Sequence, residues 1–406
     1  MKVNFFLIFF IFSSFVNAQS CGKWIYGNLP TYQQDGNGSV SFMSDSDFEK
    51  LTHMAHHGPY AKADGTLDLN INGSSSERLA GGVTAAHNHN LPITLSIVSW
   101  VNDYLPAIQD PVKRVVLIES ILQLFDTYGY DGIELDLEPI MSPYVAGIQT
   151  GNPDYEAFVT AIYDSLQIRQ STLLGTAPLL VCSANAYAAP VLKNLEDKFD
   201  MVNLMTYDMS APYPGWVSWH DSPVYDGGYI MPSTGNSMPS VNNDVQYCLA
   251  NGISPSKLGI GISFDAFRWK GGSGTTTGGV TEPMQQYTSD PTWTRFSYST
   301  FYNSYYNSAF YHYDNLAKMS YMSVDMPNDA DDEFWSFNDE QSCNDKVSYA
   351  WLQNLGGVMI WELGSGYILS NPLDNRIPQL TAIANQNCSL YNSCTQQCFM
   401  INIIKN

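Results

Sequence analysis

The sequence predicts an α/β fold, a (β/α)8 or TIM barrel. Short apolar runs of strand length alternate with helical segments, the alternation repeats eight times, and the chain has 406 residues. Strands that alternate with helices run parallel, and eight such units at this length are typical of a closed barrel. An open doubly wound sheet is the alternative, but residues 27–30 lack the glycine-rich turn with which such folds bind nucleotides.

The predicted elements follow one another as strand and helix. We expect strands at residues 24–27, 51–56, 91–98, 130–138, 179–184, 201–207, 258–264 and 357–361. We expect helices at residues 45–51, 77–89, 110–127, 154–169, 189–199, 241–250, 340–355 and 373–384. Pro111 and Gly129 mark the two ends of the clearest helix. These elements form a single domain, residues 19–386, with an insertion rich in Gly, Thr and Tyr at residues 270–330.

Both ends of the chain lie outside this pattern. Lys2 precedes the unbroken apolar run Phe5–Phe12, and Val16–Ala18 offers small residues for cleavage. These features predict a secretory signal peptide at residues 1–18, and the apolar run is too short to span a membrane. We therefore expect a secreted, extracellular protein. Residues 387–406 form a cysteine-containing C-terminal tail.

Secretion affects how the seven cysteines are interpreted, because disulfides persist in oxidising compartments. Three of them lie in the tail: Cys388, Cys394 and Cys398. No histidine lies near this group, so we expect tail disulfides rather than a metal site. The pair His56–His57 is only a weak zinc signal. Three sequons are consistent with a secreted glycoprotein, and they begin at Asn37, Asn72 and Asn387.

The charge of the chain narrows the class of partner. Acidic residues outnumber basic ones 39 to 18, which gives a formal net charge of −21. Such a chain repels nucleic acids and anionic membranes, and it fits a neutral substrate. Aromatic residues make up 13% of the chain, and they can fill a core or stack on sugar rings. We expect a monomer that binds neither nucleic acid nor membrane.

The strand at residues 130–138 carries the chemistry. Apolar residues alternate there with the acids Glu134, Asp136 and Glu138, so the three carboxylates share one side of the strand. Successive acids are about 7 Å apart along that side. Glu138 is the last strand residue, and barrel enzymes place their active sites at this end. A catalytic column is the leading interpretation, and a Ca²⁺ site or a solvated strand edge are the alternatives.

The same stretch resembles a known signature. Asp131–Glu138, with the sequence DGIELDLE, resembles the DxxDxDxE motif of glycoside hydrolase family 18, the chitinases. Ser96–Ser99 lies where this family has SxGG, and Met205–Asp208 matches its M-x-Y-D. Trp361 matches the tryptophan beneath the reacting sugar, and residues 337–342 resemble the start of the seventh helix. The resemblance covers residues 23–386.

The resemblance implies hydrolysis of β-1,4-linked N-acetylglucosamine polymers such as chitin, by a retaining, substrate-assisted mechanism. Glu138 would be the general acid and base, which requires a raised pKa. Asp136 would turn toward the N-acetyl nitrogen and stabilise the oxazolinium, and Glu134 would share a proton with Asp136. Tyr207 would donate its hydroxyl to the N-acetyl oxygen. The mechanism needs no cofactor and no metal.

Other positions are expected to bind sugar or to support the site. The residues expected in substrate binding are Trp361, Asp208, Met205, Tyr26 and Trp100. Asp131, of opposite parity to the three acids, and Ser96 are expected to be structural. An endo-β-N-acetylglucosaminidase acting on N-glycans shares the motif and remains an alternative. A lectin of the same fold is a second alternative, although such lectins usually lack the acid at the position of Glu138.

This sequence departs from the family pattern at three points. Glu134 stands where Asp is commoner, and it keeps the charge while adding one methylene group. Val98 and Ser99 replace two glycines, which predicts crowding between the third strand and the carboxylates. Residues 270–330 are expected to be too short for the additional α+β domain of some members, which predicts a shallow cleft.

Overall fold

Eight parallel strands form a closed barrel in the computed structural model. The structure describes residues 22–140, 144–145, 148–149 and 152–404, with side chains for 22–140 and 152–394. The strands are β1 (Trp24–Pro30), β2 (His53–Ala61), β3 (Ile93–Trp100), β4 (Gly132–Glu138), β5 (Leu179–Ala184), β6 (Met201–Leu204), β7 (Leu258–Ser263) and β8 (Gly357–Trp361). The predicted signal peptide lies outside the described residues.

Pairing of the first strand with both its neighbours closes the sheet. β1 pairs with β8, where Tyr26 lies opposite Met359, and also with β2, where Gly27 lies opposite Met54. All eight pairings around the barrel are parallel. The predicted TIM barrel is therefore confirmed, and the open doubly wound sheet is excluded because such a sheet has two free edges.

Helices surround the barrel. They are α1 (Asp45–Phe48), α2 (Ser76–Asn88), α3 (Val101–Gln109), α4 (Pro111–Tyr128), α5 (Pro153–Gln167), α6 (Ala189–Asn194), α7 (Val241–Ala250), α8 (Tyr298–Ser304), α9 (Glu340–Leu352) and α10 (Pro378–Ile404). The sequence predicted all of these except α3 and α8. The Asp110 side chain caps α4 by accepting from the backbone N–H of Val112, and Gly129 ends the helix in the left-handed conformation.

The predicted alternation of apolar and acidic residues along β4 is confirmed. Ile133, Leu135 and Leu137 are buried in the core between the barrel and its helices, where each stabilises the fold by about 1.5–3 kcal/mol. The acids therefore face the lumen. A separate apolar cluster that includes Tyr26, Val181 and Met359 fills part of the lumen, and Val181 lies opposite Glu134 in register, so the deepest acid is packed against apolar side chains.

The insertion is larger in structure than the sequence indicated. A five-stranded antiparallel sheet follows β7, and its strands are Asp265–Lys270, Thr292–Ser297, Tyr311–Asp314, Met319–Val324 and Glu333–Phe337. Together with α8 it forms an α+β unit with its own aromatic core. The prediction that this segment is too short for such a unit was wrong, because strands of four to six residues need little sequence.

The C-terminal tail also differs from its prediction. The proposed boundary at residue 387 falls inside α10, whose backbone continues to Ile404. Cys21 and Cys398 lie outside the residues with described side chains, so the tail disulfides stay a prediction. Asn387 is 2% exposed, and its amide accepts from Trp351 Nε1 and donates to the Lys23 carbonyl oxygen. This burial makes the third sequon unsuitable for glycosylation in the folded protein.

No helix within the described residues combines the length and the apolar character that a membrane span requires.

Candidate active site

A cleft of about 350 Å³ opens at the C-terminal ends of the barrel strands. Seven of the sequence-predicted residues line it: Trp100, Asp136, Glu138, Met205, Tyr207, Asp208 and Trp361. They come from β3, β4, β8 and the loop after β6, which are distant in sequence. They lie close together because all the parallel strands have their C-terminal ends at this face of the barrel.

Glu134 is the deepest member of the carboxylate column. It is 1% exposed, and its Oε1 accepts a hydrogen bond of 2.7 Å from Ser183 Oγ on β5. Burial raises the pKa of Glu134, and the nearby hydroxyl groups of Ser96, Ser183 and Tyr26 oppose that rise. Glu134 therefore holds its proton at a pH where an exposed glutamate has lost it.

Asp136 lies between the two glutamates and lines the cleft. Burial raises its pKa well above the usual range for aspartate, and the charges of Glu138 and Glu134 raise it further. Three acids so close together cannot all ionise, so the column holds protons as a unit. Val98 lies beside Asp136 in register on β3 and lines the cleft. The pairing of β3 with β4 is continuous from Thr94 to Trp100, so Val98 and Ser99 do not displace the third strand from the strand that carries the acids.

Glu138 ends the column at the mouth of the barrel and is partly exposed to the cleft. Burial raises its pKa, a hydrogen bond with Asp136 lowers it, and the charge of Asp208 raises it. The net effect is a glutamate that is protonated at a higher pH than usual while reachable from the cleft. These are the properties that a general acid requires.

The loop after β6 places three predicted residues on the cleft wall. Burial raises the pKa of Tyr207 well above its usual value, and the charges of Asp136 and Glu138 raise it further. The hydroxyl therefore keeps its proton and can donate a hydrogen bond. Asp208 adopts a left-handed backbone conformation with φ of 58°, and its N–H donates to Asp221. Gly261 leaves room for the Tyr207 ring, because a Cβ atom there would lie 2.7 Å from Tyr207 Cε1.

The predicted aromatic residues occupy three different depths. Trp361 forms part of the cleft floor and is partly buried, whereas Trp100 at the rim is 58% exposed. Tyr26 is fully buried below the cleft, where its hydroxyl lies 2.5 Å from Thr94 Oγ1. The prediction that Tyr26 lines the cleft was therefore wrong, because an early position in β1 places it deep in the lumen.

The two residues predicted to be structural lie away from the cleft lining. Asp131 is 1% exposed and accepts hydrogen bonds from His87 Nε2, Ser171 Oγ and the backbone N–H of Ile93. It thus ties the end of α2, the start of β3 and the loop after α5 to the start of β4. Ser96 is fully buried and lies opposite Glu134 in register.

The sequence did not indicate two residues that lie close to acids of the cleft. Arg295 comes from the insertion, binds Asp265 Oδ2 through Nε at 2.9 Å, and brings Nη1 to 3.9 Å from Asp208 Oδ2. No sequence pattern pointed to it. His57 on β2 lines the cleft, with Nδ1 at 3.6 Å from Asp136 Oδ2. Its position two residues after the inward-facing Ala55 on β2 could have predicted that its side chain points into the barrel.

Three other tryptophans do not line the cleft. Trp219 and Trp269 are fully buried and cannot stack on a sugar, and Trp216 is partly buried elsewhere. Asn72 also lines the cleft, where its Nδ2 donates to the Gly58 carbonyl oxygen at 2.9 Å. A glycan on Asn72 would occupy the cleft, so Asn37 is the exposed sequon that remains suitable.

The described residues contain no group of three or more His, Cys, Asp or Glu side chains arranged to hold a metal ion.

Glu134→Gln is expected to stabilise the protein relative to wild type as the pH rises from 4 to 8. Below the unfolded pKa of about 4.3, both states hold the proton and wild type keeps its full stability. As the pH rises toward the raised folded pKa, the unfolded chain releases its proton first and wild type loses stability. Each unit of pKa difference corresponds to about 1.4 kcal/mol.

Urea unfolding of both proteins at pH 4, 6 and 8 measures this effect. Glu119→Gln on the exposed face of α4 is the matched control for the amide substitution itself. A difference between Glu134→Gln and wild type that does not change with pH would contradict the raised pKa.

The sequence was compared with known proteins. A family profile described as Glycosyl hydrolases family 18 matches residues 9–366, which is most of the chain. The chain belongs to this family. Chitinase A1 of Niallia circulans is 27% identical over 319 residues, which cover 72% of this chain and 43% of the relative. This family 18 chain therefore spans less than half the length of that relative.

Solved structures support the same fold. A group IV chitinase from Ostrinia furnacalis superposes with a TM-score of 0.71 at 20% identity, covering 90% of this chain and all of that one. A family 18 chitinase variant from Cycas revoluta, in complex with (GlcNAc)4, has a TM-score of 0.67 at 18% identity, covering 89% and 99%. At these identities the similarity shows the fold alone.

Proposed function

We propose that this family 18 protein is a chitinase-type hydrolase that cleaves β-1,4-linked N-acetylglucosamine oligomers and polymers. One observation carries the proposal: Glu138, with a raised pKa, lies beside Asp136 in a cleft whose floor includes Trp361. A flat indole provides an apolar face for a sugar ring, and the adjacent acid can reach the glycosidic oxygen. The (GlcNAc)4 complex of the Cycas revoluta relative supports a substrate of this class.

The first half of the proposed reaction forms an intermediate from the substrate alone. Glu138 donates its proton to the glycosidic oxygen as the bond from that oxygen to C1 breaks. The N-acetyl oxygen of the same sugar attacks C1 and closes an oxazolinium ring. Tyr207 donates a hydrogen bond to that oxygen and orients it, while ionised Asp136 accepts one from the N-acetyl nitrogen and stabilises the positive charge.

The second half restores the enzyme. Glu138, now ionised, takes a proton from a water molecule as the water oxygen bonds to C1 and the bond to the N-acetyl oxygen breaks. Two inversions at C1 leave the product with the β configuration of the substrate. Glu134 and Asp136 share one proton, and this proton stays on Glu134 when ionised Asp136 turns toward the substrate.

Hydrolysis of N-acetylglucosamine tetramer and hexamer tests the proposal, with products separated by mass and anomer. Shorter oligomers released as the β anomer are the expected result. Tight oligomer binding without products would instead indicate a lectin. If the oligomers are neither bound nor cleaved, chitin-type substrates are excluded, and release of N-glycans from a glycoprotein would then identify an endo-β-N-acetylglucosaminidase.

We further propose that the protein acts outside the cell after removal of residues 1–18. The basic residue, apolar run and small residues at its N-terminus support this proposal. Expression in a secreting host should release into the medium a chain that begins at Gln19. A cell-retained chain with an intact N-terminus would contradict it.

A further inference from the structure

We propose that His57 is a positioning residue for Asp136, and that its Nδ1 hydrogen-bonds the Asp136 carboxyl group as that group changes orientation during hydrolysis. This inference rests on the proposed function. It arises from the packing of two side chains whose polar atoms face each other in the lumen.

Strand geometry directs His57 toward the acids. Ala55 belongs to the lumen cluster, and His57 is two residues further along β2, so both side chains point inward. His56 points outward instead, because its ring packs against Gly82 on α2. The register of β2 against β3 shifts between His57 and Tyr60. Such irregularities in a strand commonly re-aim side chains next to active sites.

The two groups face each other without a completed hydrogen bond. His57 Nδ1 lies 3.6 Å from Asp136 Oδ2, which is longer than a hydrogen bond allows. Among the described residues, neither His57 Nδ1 nor Asp136 Oδ1 has a hydrogen-bond partner. Both atoms are buried, so leaving them unpaired is unfavourable. A small rotation of the Asp136 side chain would pair the two groups.

The imidazole ring is the fixed member of the pair. It contacts the Trp361 ring edge to face, with centroids 4.8 Å apart and an interplanar angle of 71°. Pro30 of β1 and Ser96 of β3 flank His57 in register on its two sides. Asp136 therefore has to supply the movement, as the proposed reaction also requires.

A neutral imidazole can serve both protonation states of Asp136. Burial lowers the pKa of His57 to about 4, so the ring is uncharged near neutral pH. It can accept a hydrogen bond from protonated Asp136, or donate one to ionised Asp136 by changing tautomer. Of these two hydrogen bonds, the one that the ring donates to ionised Asp136 is the stronger, because the acceptor is charged. Removal of the ring should therefore raise the pKa of Asp136.

Other charged and titratable groups act on the same pair. Glu134 and Glu138 flank Asp136 on β4, Tyr207 approaches it from the loop after β6, and Tyr26 approaches it from β1. The effect of His57 has to be separated from theirs, and variants at position 57 alone achieve this because every other group is unchanged.

Three variants test the role of the Nδ1 atom. His57→Leu removes the polar group, His57→Asn places an amide nitrogen near the position of Nδ1, and His57→Gln places one near Nε2. We expect His57→Leu to lower kcat about tenfold with KM within about twofold, the size expected for one lost hydrogen bond to a charged group. The acidic limb of its kcat profile should move to higher pH. His57→Asn should restore most of kcat, and His57→Gln should not.

Other outcomes overturn the proposal. Equal losses in all three variants would mean that the ring only fills space, and unchanged kcat in His57→Leu would mean that it has no role. Thermal unfolding of each variant shows whether it still folds. The kcat of His57→Asn can be compared with that of His57→Gln even if His57→Leu does not fold, because both of these side chains are polar.

A second measurement does not depend on turnover. The ¹⁵N resonance of His57 Nδ1 in the intact protein should shift on substitution of Asp136→Asn, because the two groups are in contact. An unchanged resonance would refute the pairing. If wild type cleaves no oligomer, the proposed function fails, and the resonance still decides whether His57 and Asp136 interact.

Discussion

Glu138→Gln is expected to lower the hydrolysis of N-acetylglucosamine tetramer by about 10³-fold, within the range that a general acid contributes. The amide keeps the shape of the side chain but has no acidic proton to give to the leaving oxygen. Glu138 is the one acid of the column that is not buried, and it lies at the mouth of the barrel, so neither Asp136 nor Glu134 is placed to replace it.

Binding should survive this change. Calorimetry with the tetramer should give a Kd for Glu138→Gln within a few-fold of the wild-type KM, because Trp361 and the loop after β6 are untouched. Glu119→Gln, an amide substitution on the exposed face of α4, is the control and should retain full activity. Unchanged turnover in Glu138→Gln would refute the assignment of the general acid.

Asp136→Asn is expected to lower kcat by about 10²–10³-fold with a small effect on KM, as found when one group that stabilises a transition state is removed. The charge of Asp136 is needed only after the oxazolinium begins to form, so its loss affects the transition state more than the bound substrate. The amide is also neutral at every pH. Any limb of the kcat profile that reports ionisation of Asp136 should therefore disappear.

Kinetics at several pH values check this expectation. Asp325→Asn in the exposed part of the insertion is the matched control and should leave both kcat and KM unchanged. Full activity of Asp136→Asn would refute its role toward the N-acetyl group. A rise in KM with constant kcat would assign Asp136 to substrate binding alone.

The amino-acid sequence by itself was enough to predict the barrel and to place the three acids on one side of a strand. The period of two in β4 separated Ile133, Leu135 and Leu137 from the three carboxylates, and this separation depends only on the geometry of an extended chain. The repeated alternation of strand and helix likewise implied a parallel sheet, because a parallel crossover needs a helix-length connection. The position of Glu138 at the end of its strand then located the cleft.

The tertiary structure decided what surrounds those acids. Depth along the lumen depends on the stagger of neighbouring strands, so Tyr26 lies below the cleft and Trp100 at its rim. The α+β insertion was hidden because its strands are only four to six residues long and because its first and last strands, which pair, lie far apart in sequence. His57 and Arg295 reach the site only through barrel closure and the insertion. The sequence specifies local periodicity, whereas contacts between distant segments follow from their packing, and the electrostatics of the acids depends on that packing.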